Sequence, residues 1–128
     1  MEFEKTKKEF IIDQEEYSKS KLSELMTMMI SFCKVTKDGQ VVILEKVPTR
    51  KVLKLIVSAR FIAHAAESSI SETVTREELK AYSGMKDAVF LVRFSEMLRE
   101  NFAEEKDKKV KAKNIVLIEQ FLRSLKNE

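Results

Sequence analysis

His64 and Cys33 are the only imidazole and the only thiol in the chain. A Ser-His-Asp or Cys-His nucleophile needs that imidazole within hydrogen-bond reach of an accessible hydroxyl or thiol. His64 instead lies beside Ala63, Ala65 and Ala66 in the most apolar stretch, where a core or rim role is expected. A zinc site requires several Cys and His ligands at fixed spacing, and one of each cannot supply it. Gly39 and Gly84, the only glycines, are too far apart to form a phosphate-cradling loop. The carboxylate pairs Glu15-Glu16, Glu77-Glu78 and Glu104-Glu105 could do acid–base work, but each falls in a capping or polar stretch. The chain therefore reads as a non-enzyme, with no cofactor, no metal and no evident small-molecule substrate.

What remains is binding chemistry. With 24 basic and 21 acidic residues the net charge is +3, too even a balance for the whole molecule to be a polyanion binder, so any basic function must be local. The densest basic segment is Lys106, Lys108, Lys109, Lys111 and Lys113, opposed within it by Asp107 alone. A single cysteine excludes an internal disulfide, and a cytoplasmic location is expected. The segment Val52–Ala66 is interrupted by Lys54, Arg60 and His64, short of the ~20 uninterrupted apolar residues of a membrane span. The abundance of Lys and Glu beside three Gln and three Asn resembles the composition of hyperthermophile proteins, such as those of archaea.

The elements that must carry these groups are mainly helical. Two glycines and one proline among 128 residues are too few for the turns of a sandwich or barrel. Residues 1–12 show no clear period and read as a loosely held arm. From Asp13 to about Lys34, Leu22, Leu25, Met26, Met29, Ile30 and Cys33 make one helical stripe. Met28 and Phe32 fall outside that stripe and are expected to meet a second surface. Asp38-Gly39 breaks the helix, and Gln40–Leu44 reads as a strand needing a partner: the wing sheet, Val35-Thr36 across a tight turn, or its copy in another chain. Thr49 is the expected cap of a buried helix reaching Ala66. Thr75-Arg76-Glu77-Glu78 fits the S/T-x-x-E capping box and predicts a short helix ending at Ser83-Gly84. An apolar period resumes at Met85, Phe90, Phe94, Met97 and Leu98. Charged residues 104–109 predict a hairpin, and Asn114 caps a terminal helix carrying Leu117, Ile118, Phe121, Leu122 and Leu125.

Helix, short capped helix, glycine turn, second helix, charged hairpin and final helix is an order that resembles the winged helix-turn-helix superfamily over about residues 49–126. Thr75–Met85 resembles the first helix and turn of the motif. Val92–Phe102 is similar to the end of a recognition helix entering the first wing strand. The resemblance implies a mainly α fold with a small β-hairpin: residues 48–128 form the winged domain, and residues 1–47 a packing or dimerisation extension.

In that family the second helix of the motif lies in the major groove, with the wing on phosphates or an adjacent groove. The resemblance thus implies duplex DNA as partner, held through Lys86, Arg93 and the lysines at 106, 108, 109, 111 and 113 in a regulatory or architectural role. Arg93 could equally pair with Glu96 or Glu100. The departure lies at Asp87-Ala88-Val89-Phe90-Leu91-Val92, where base readout needs donors and acceptors. Val89, Leu91 and Val92 leave apolar side chains beyond the core face. A second expectation follows, in which the recognition helix docks a protein partner or second subunit, or is covered by helix 13–34. Met28 and Phe32 join those three as interface candidates, with a homodimer expected through the N-terminal helix.

Overall fold

A computed structural model describes residues 2–11 and 13–127. Glu2–Phe10 forms a first helix, α1, where the sequence reading expected an irregular arm. Asp13 caps α2 (Gln14–Ile30), its carboxylate accepting the Glu16 N–H at 3.0 Å. The helix stops at Ile30, earlier than the apolar stripe implied. Cys33 belongs instead to β1 (Cys33–Val35), which pairs antiparallel with β2 (Val41–Ile43) in the register Cys33↔Ile43 and Val35↔Val41. Of the three partners open to the lone strand, the structure uses the nearby one.

α3 (Thr49–Ala66) is the central helix, with Leu53, Leu55, Ile56, Val57, Ala59 and Ile62 buried. Its N-cap is Pro48 with no side-chain cap, so Thr49 is the first helical residue and not the expected cap. Proline has its φ preset and has no N–H needing a partner, which lets the chain turn into the helix at that point. In the last turn of α3, His64 Nδ1 lies 2.7 Å from the Ile70 carbonyl, half-buried as a rim histidine.

A two-residue strand, β3 (Val74–Thr75), leads into α4 (Arg76–Ser83). The capping box forms as expected: Thr75 Oγ1 accepts the Glu78 N–H at 3.1 Å, and Glu78 accepts the Thr75 N–H at 3.0 Å. Gly84 closes α4 at φ 69°, a left-handed position where glycine carries no Cβ penalty. α5 (Asp87–Arg99) buries Phe90, Phe94 and Met97, an i, i+4, i+7 stripe.

β4 (Ala103–Lys106) and β5 (Lys109–Ala112) form the charged hairpin, turning on Asp107 and Lys108 at φ 53° and 65°. Two left-handed residues at the tip match the twist of the flanking strands. β3 pairs with β5, giving a three-stranded antiparallel sheet in the order β3-β5-β4. α6 (Ile115–Lys126) starts at Asn114, whose side chain accepts the Leu117 N–H at 3.0 Å, and buries Ile118, Phe121, Leu122 and Leu125.

The fold is thus mainly helical with two small antiparallel sheets. α2 packs on α3 and α6, and Leu25, Met29, Cys33 and Val41 join Leu53, Phe94 and Leu122 in one continuous core. From Leu22 onward, the N-terminal segment is built into the same hydrophobic body as the residues after 48. Among the described residues, no helix is long and apolar enough to cross a membrane.

Candidate interaction surface on α5 and the β4–β5 hairpin

Because Phe90, Phe94 and Met97 turn one side of α5 into the core, helical geometry turns Ala88, Leu91, Val92, Ser95 and Arg99 outward. All five are exposed. Leu91 is 56% and Val92 55% accessible, with Val89 beside them at 41%. α2 packs elsewhere, so the expectation that helix 13–34 would cover this face is not met. Apart from Asp87, one turn before Leu91, the first two turns of this face carry no hydrogen-bonding side chain; Ser95 and Arg99 come only in the later turns.

The charged groups around this face are largely committed to one another. Lys86 precedes the helix and is exposed. Asp87 forms an ion pair with Lys80, which neutralises the carboxylate expected to repel phosphate. Arg93 pairs with Glu96 at 2.8 Å, and its buried Nε has no hydrogen-bond partner among the described residues. Of its two expected roles, the structure brings it to Glu96. Lys111 lies 3.6 Å from Glu72, and Lys113 donates to Asn101 Oδ1 at 3.2 Å. Lys106, Lys108 and Lys109 project at the tip of the β4–β5 hairpin, exposed and without an ion pair among the described residues. The hairpin is less basic than its lysine count suggests, because Glu104 and Asp107 are exposed on it too.

One clamp that the sequence reading passed over ties α4 to the β4–β5 hairpin across the Phe94 ring of α5. Arg76 donates through Nε and Nη2 to Glu105 on β4, both at 2.6 Å, and its guanidinium lies 4.7 Å from the centre of the Phe94 ring. The side-chain hydrogen bond from Arg76 holds the Glu105 carboxyl below its usual range. A bidentate pair on an aromatic face is geometry that arginine suits and lysine does not. Arg76 sits in the capping box sequence, but its partner lies in a distant hairpin, so nothing local in the sequence marks the pairing.

The N-terminal interface candidates fare differently. Met28 is buried at 8% exposure and Phe32 half-buried, both packed into the core. They line a shallow pocket with Thr27, Ser31, Glu45 and Leu125. Met28 is therefore absorbed by its own chain; its position off the main α2 stripe reflects a second contact within the molecule, on the side of α6. Ile30, placed on the core stripe by its spacing, is instead 57% exposed.

Comparison of the chain with protein-family profiles, curated proteins and solved structures returns no match.

Proposed function

We propose that the chain is a winged-helix binding module that docks a protein partner through the outward face of α5. Two features support the winged reading. The element order is α3, β3, α4, α5, β4, β5, and the sheet order is β3-β5-β4, the helix-turn-helix plus hairpin arrangement that the sequence resembles. The observation that carries the docking reading is the exposure of Leu91 and Val92 on the helix that this architecture presents to partners. Apolar side chains clustered at the centre of a presented face, with charge at its edge, are the anatomy of a protein interface. Lys86, Arg99 and the wing lysines favour a partner whose apolar segment is flanked by carboxylates.

A second reading, duplex DNA held through its phosphates, is favoured by the three unpaired lysines Lys106, Lys108 and Lys109 at the wing tip. One pair of measurements separates the readings. Fluorescence anisotropy of a labelled random duplex is followed across a salt series. Capture of cellular partners is compared between wild type, Leu91→Glu/Val92→Glu and Lys106→Ala/Lys108→Ala/Lys109→Ala. Docking through α5 predicts a partner lost in the α5 variant and kept in the wing variant. Duplex binding that weakens with a slope of about three released counterions and disappears in the wing variant would replace this reading with the second.

A further inference from the structure

α1 is a helix without a surface to rest on. None of its residues is buried, and Phe3, Phe10 and Ile11 are 73%, 84% and 64% exposed. With Thr6 and Lys7 they form the i, i+3, i+4, i+7, i+8 stripe of an amphipathic helix, and the hollow along that stripe is lined by α1 and Ile11 alone. A nine-residue helix is too short to persist in water by itself, since nucleation is costly and each further residue adds little. The following residues extend the projection: Gln14, Glu15, Glu16, Ser18, Lys19 and Ser20 of α2 are all exposed. The N-terminal half of α2 is thus an exposed stalk leading to a charged helix whose apolar side chains, Phe3 and Phe10, are continued by Ile11.

The body, in turn, carries an apolar groove of about 460 Å³ between α2, β1 and α3, open to solvent. Met26 and Ile30 form one wall and Ala63 and Ala66 the other, with Ile70 at one end and Lys34 and Glu67 at the rim. Length decides which α1 can occupy it. At 1.5 Å per residue, Met26 lies about 18 Å along α2 from Gln14, whereas α1 spans about 13 Å. Folded back along its own α2, the arm would bring Phe3 level with about residue 21, more than a turn short of Met26. In a two-fold pair whose α2 helices (Gln14–Ile30) run antiparallel and overlap along their full length, Gln14 of one copy comes level with Ile30 of the other, which brings α1 to the groove mouth.

The geometry points to a homodimer in which α1 of each copy lies in the α2–β1–α3 groove of the other. Phe3 and Phe10 fill the apolar groove, and Lys7 in the middle of the stripe meets Glu67 at its rim. The interface is independent of the α5 face and leaves that face open in both subunits.

Sedimentation equilibrium of the full chain tests the exchange. Three proteins are compared: wild type, Phe3→Ala/Phe10→Ala, and Ile30→Glu, which puts a charge on an exposed groove wall without touching the core. Wild type is expected to dimerise, and each variant to weaken dimerisation by about 100-fold or more, the loss expected for removing two buried phenyl groups per arm or burying an unpaired charge. Thermal unfolding and far-ultraviolet circular dichroism of the body check that both variants fold. An equimolar mixture of the two variants retains one intact arm and one intact groove per pair, so it is expected to form a heterodimer where neither does alone. A wild type that stays monomeric at several hundred micromolar overturns the proposal. So does a dimer indifferent to both variants, or a mixture that fails to associate although each variant is folded.

Discussion

Arg60 on α3 and Glu78 on α4 face each other with Nη1 3.6 Å from Oε2, and the guanidinium is almost wholly buried. Its remaining donors go to the backbone: Nε to Ser71 O at 2.7 Å, Nη1 to Gly39 O at 2.7 Å and Nη2 to Thr73 O at 2.9 Å. One side chain thus ties the β1–β2 turn, the segment entering β3 and the capped start of α4 to the central helix. Gly39 is required for two reasons. Its φ of 93° lies in the left-handed region, and a Cβ there would sit 3.2 Å from the guanidinium carbon.

Removing that guanidinium should cost far more than a surface ion pair. Arg60→Ala leaves three carbonyls and a half-buried carboxylate without their donor, and a loss of about 3–5 kcal/mol is expected in urea unfolding. Arg60→Lys should recover only part of it, because a point charge cannot serve three divergent acceptors. A loss below about 1 kcal/mol for Arg60→Ala would show that the network is not what joins these segments.

The same network sets an acid limit on stability. Burial raises the Glu78 carboxyl, but the Thr75 N–H, the Tyr82 hydroxyl and the Arg60 guanidinium together hold it below the usual carboxylate range. A carboxyl lowered in the folded state stabilises above its unfolded value, near 4.3, and this contribution is lost as pH falls through the lowered one. Glu78→Gln should therefore be less stable than wild type by about 1 kcal/mol at pH 7, and the gap should close below about pH 4. Thermal unfolding of both proteins from pH 7 to pH 2.5 reads this directly. A gap that stays constant over that range would remove Glu78 from the acid transition.

Arg60 also shows where the sequence stops being legible. Caps and periodicity are local: Thr75 with Glu78, Asn114 with Leu117, and the Phe90–Phe94–Met97 stripe all form where their spacing places them. The β4–β5 hairpin follows from a charged run between apolar flanks. What spacing could not show is which of several candidate partners a group takes. Arg60 reads as a break in an apolar helix, and its acceptors are carbonyls, which every residue carries. Arg76 and Glu105 are 29 residues apart. Met28 and Ile30 exchange their expected roles because α2 is held by α3 and α6 together, and that angle is a tertiary property. α1 was missed because its stripe is short and broken by Lys7, although Phe3, Phe10 and Ile11 already lie at helical spacing. At the candidate site, the apolar character of Val89, Leu91 and Val92 was readable, but the neutralisation of Asp87, Arg93 and Lys111 by neighbours was not.

Cys33 offers a probe of how tightly β1 is held. Burial pushes its thiol up to about 12, and it is 1% exposed. Thiolate is the reactive form, so a disulfide exchange reagent should leave native protein unmodified at pH 8 and label it completely in denaturant. The residual native rate should follow the global unfolding equilibrium across a urea series, because Cys33 belongs to the same core as α3 and α6. Labelling that proceeds at one rate regardless of urea would mean that β1 opens on its own.

Ser58 lies at the opposite extreme from Arg60 on the same helix. It is fully buried, and its hydroxyl has no hydrogen-bond partner among the described residues. An unsatisfied buried hydroxyl opposes folding, whereas alanine occupies nearly the same volume, removes the unpaired oxygen and is the better helix former. Ser58→Ala should therefore raise stability by about 1 kcal/mol, seen as a higher urea midpoint with an unchanged slope. Because Ser58 is fully buried, it is no part of the exposed α5 face or of the β4–β5 tip, and the variant should keep whatever binding the wild type shows there. A Ser58→Ala protein less stable than wild type would show that the hydroxyl is satisfied in solution, by a bound water or by a backbone carbonyl one turn earlier in α3.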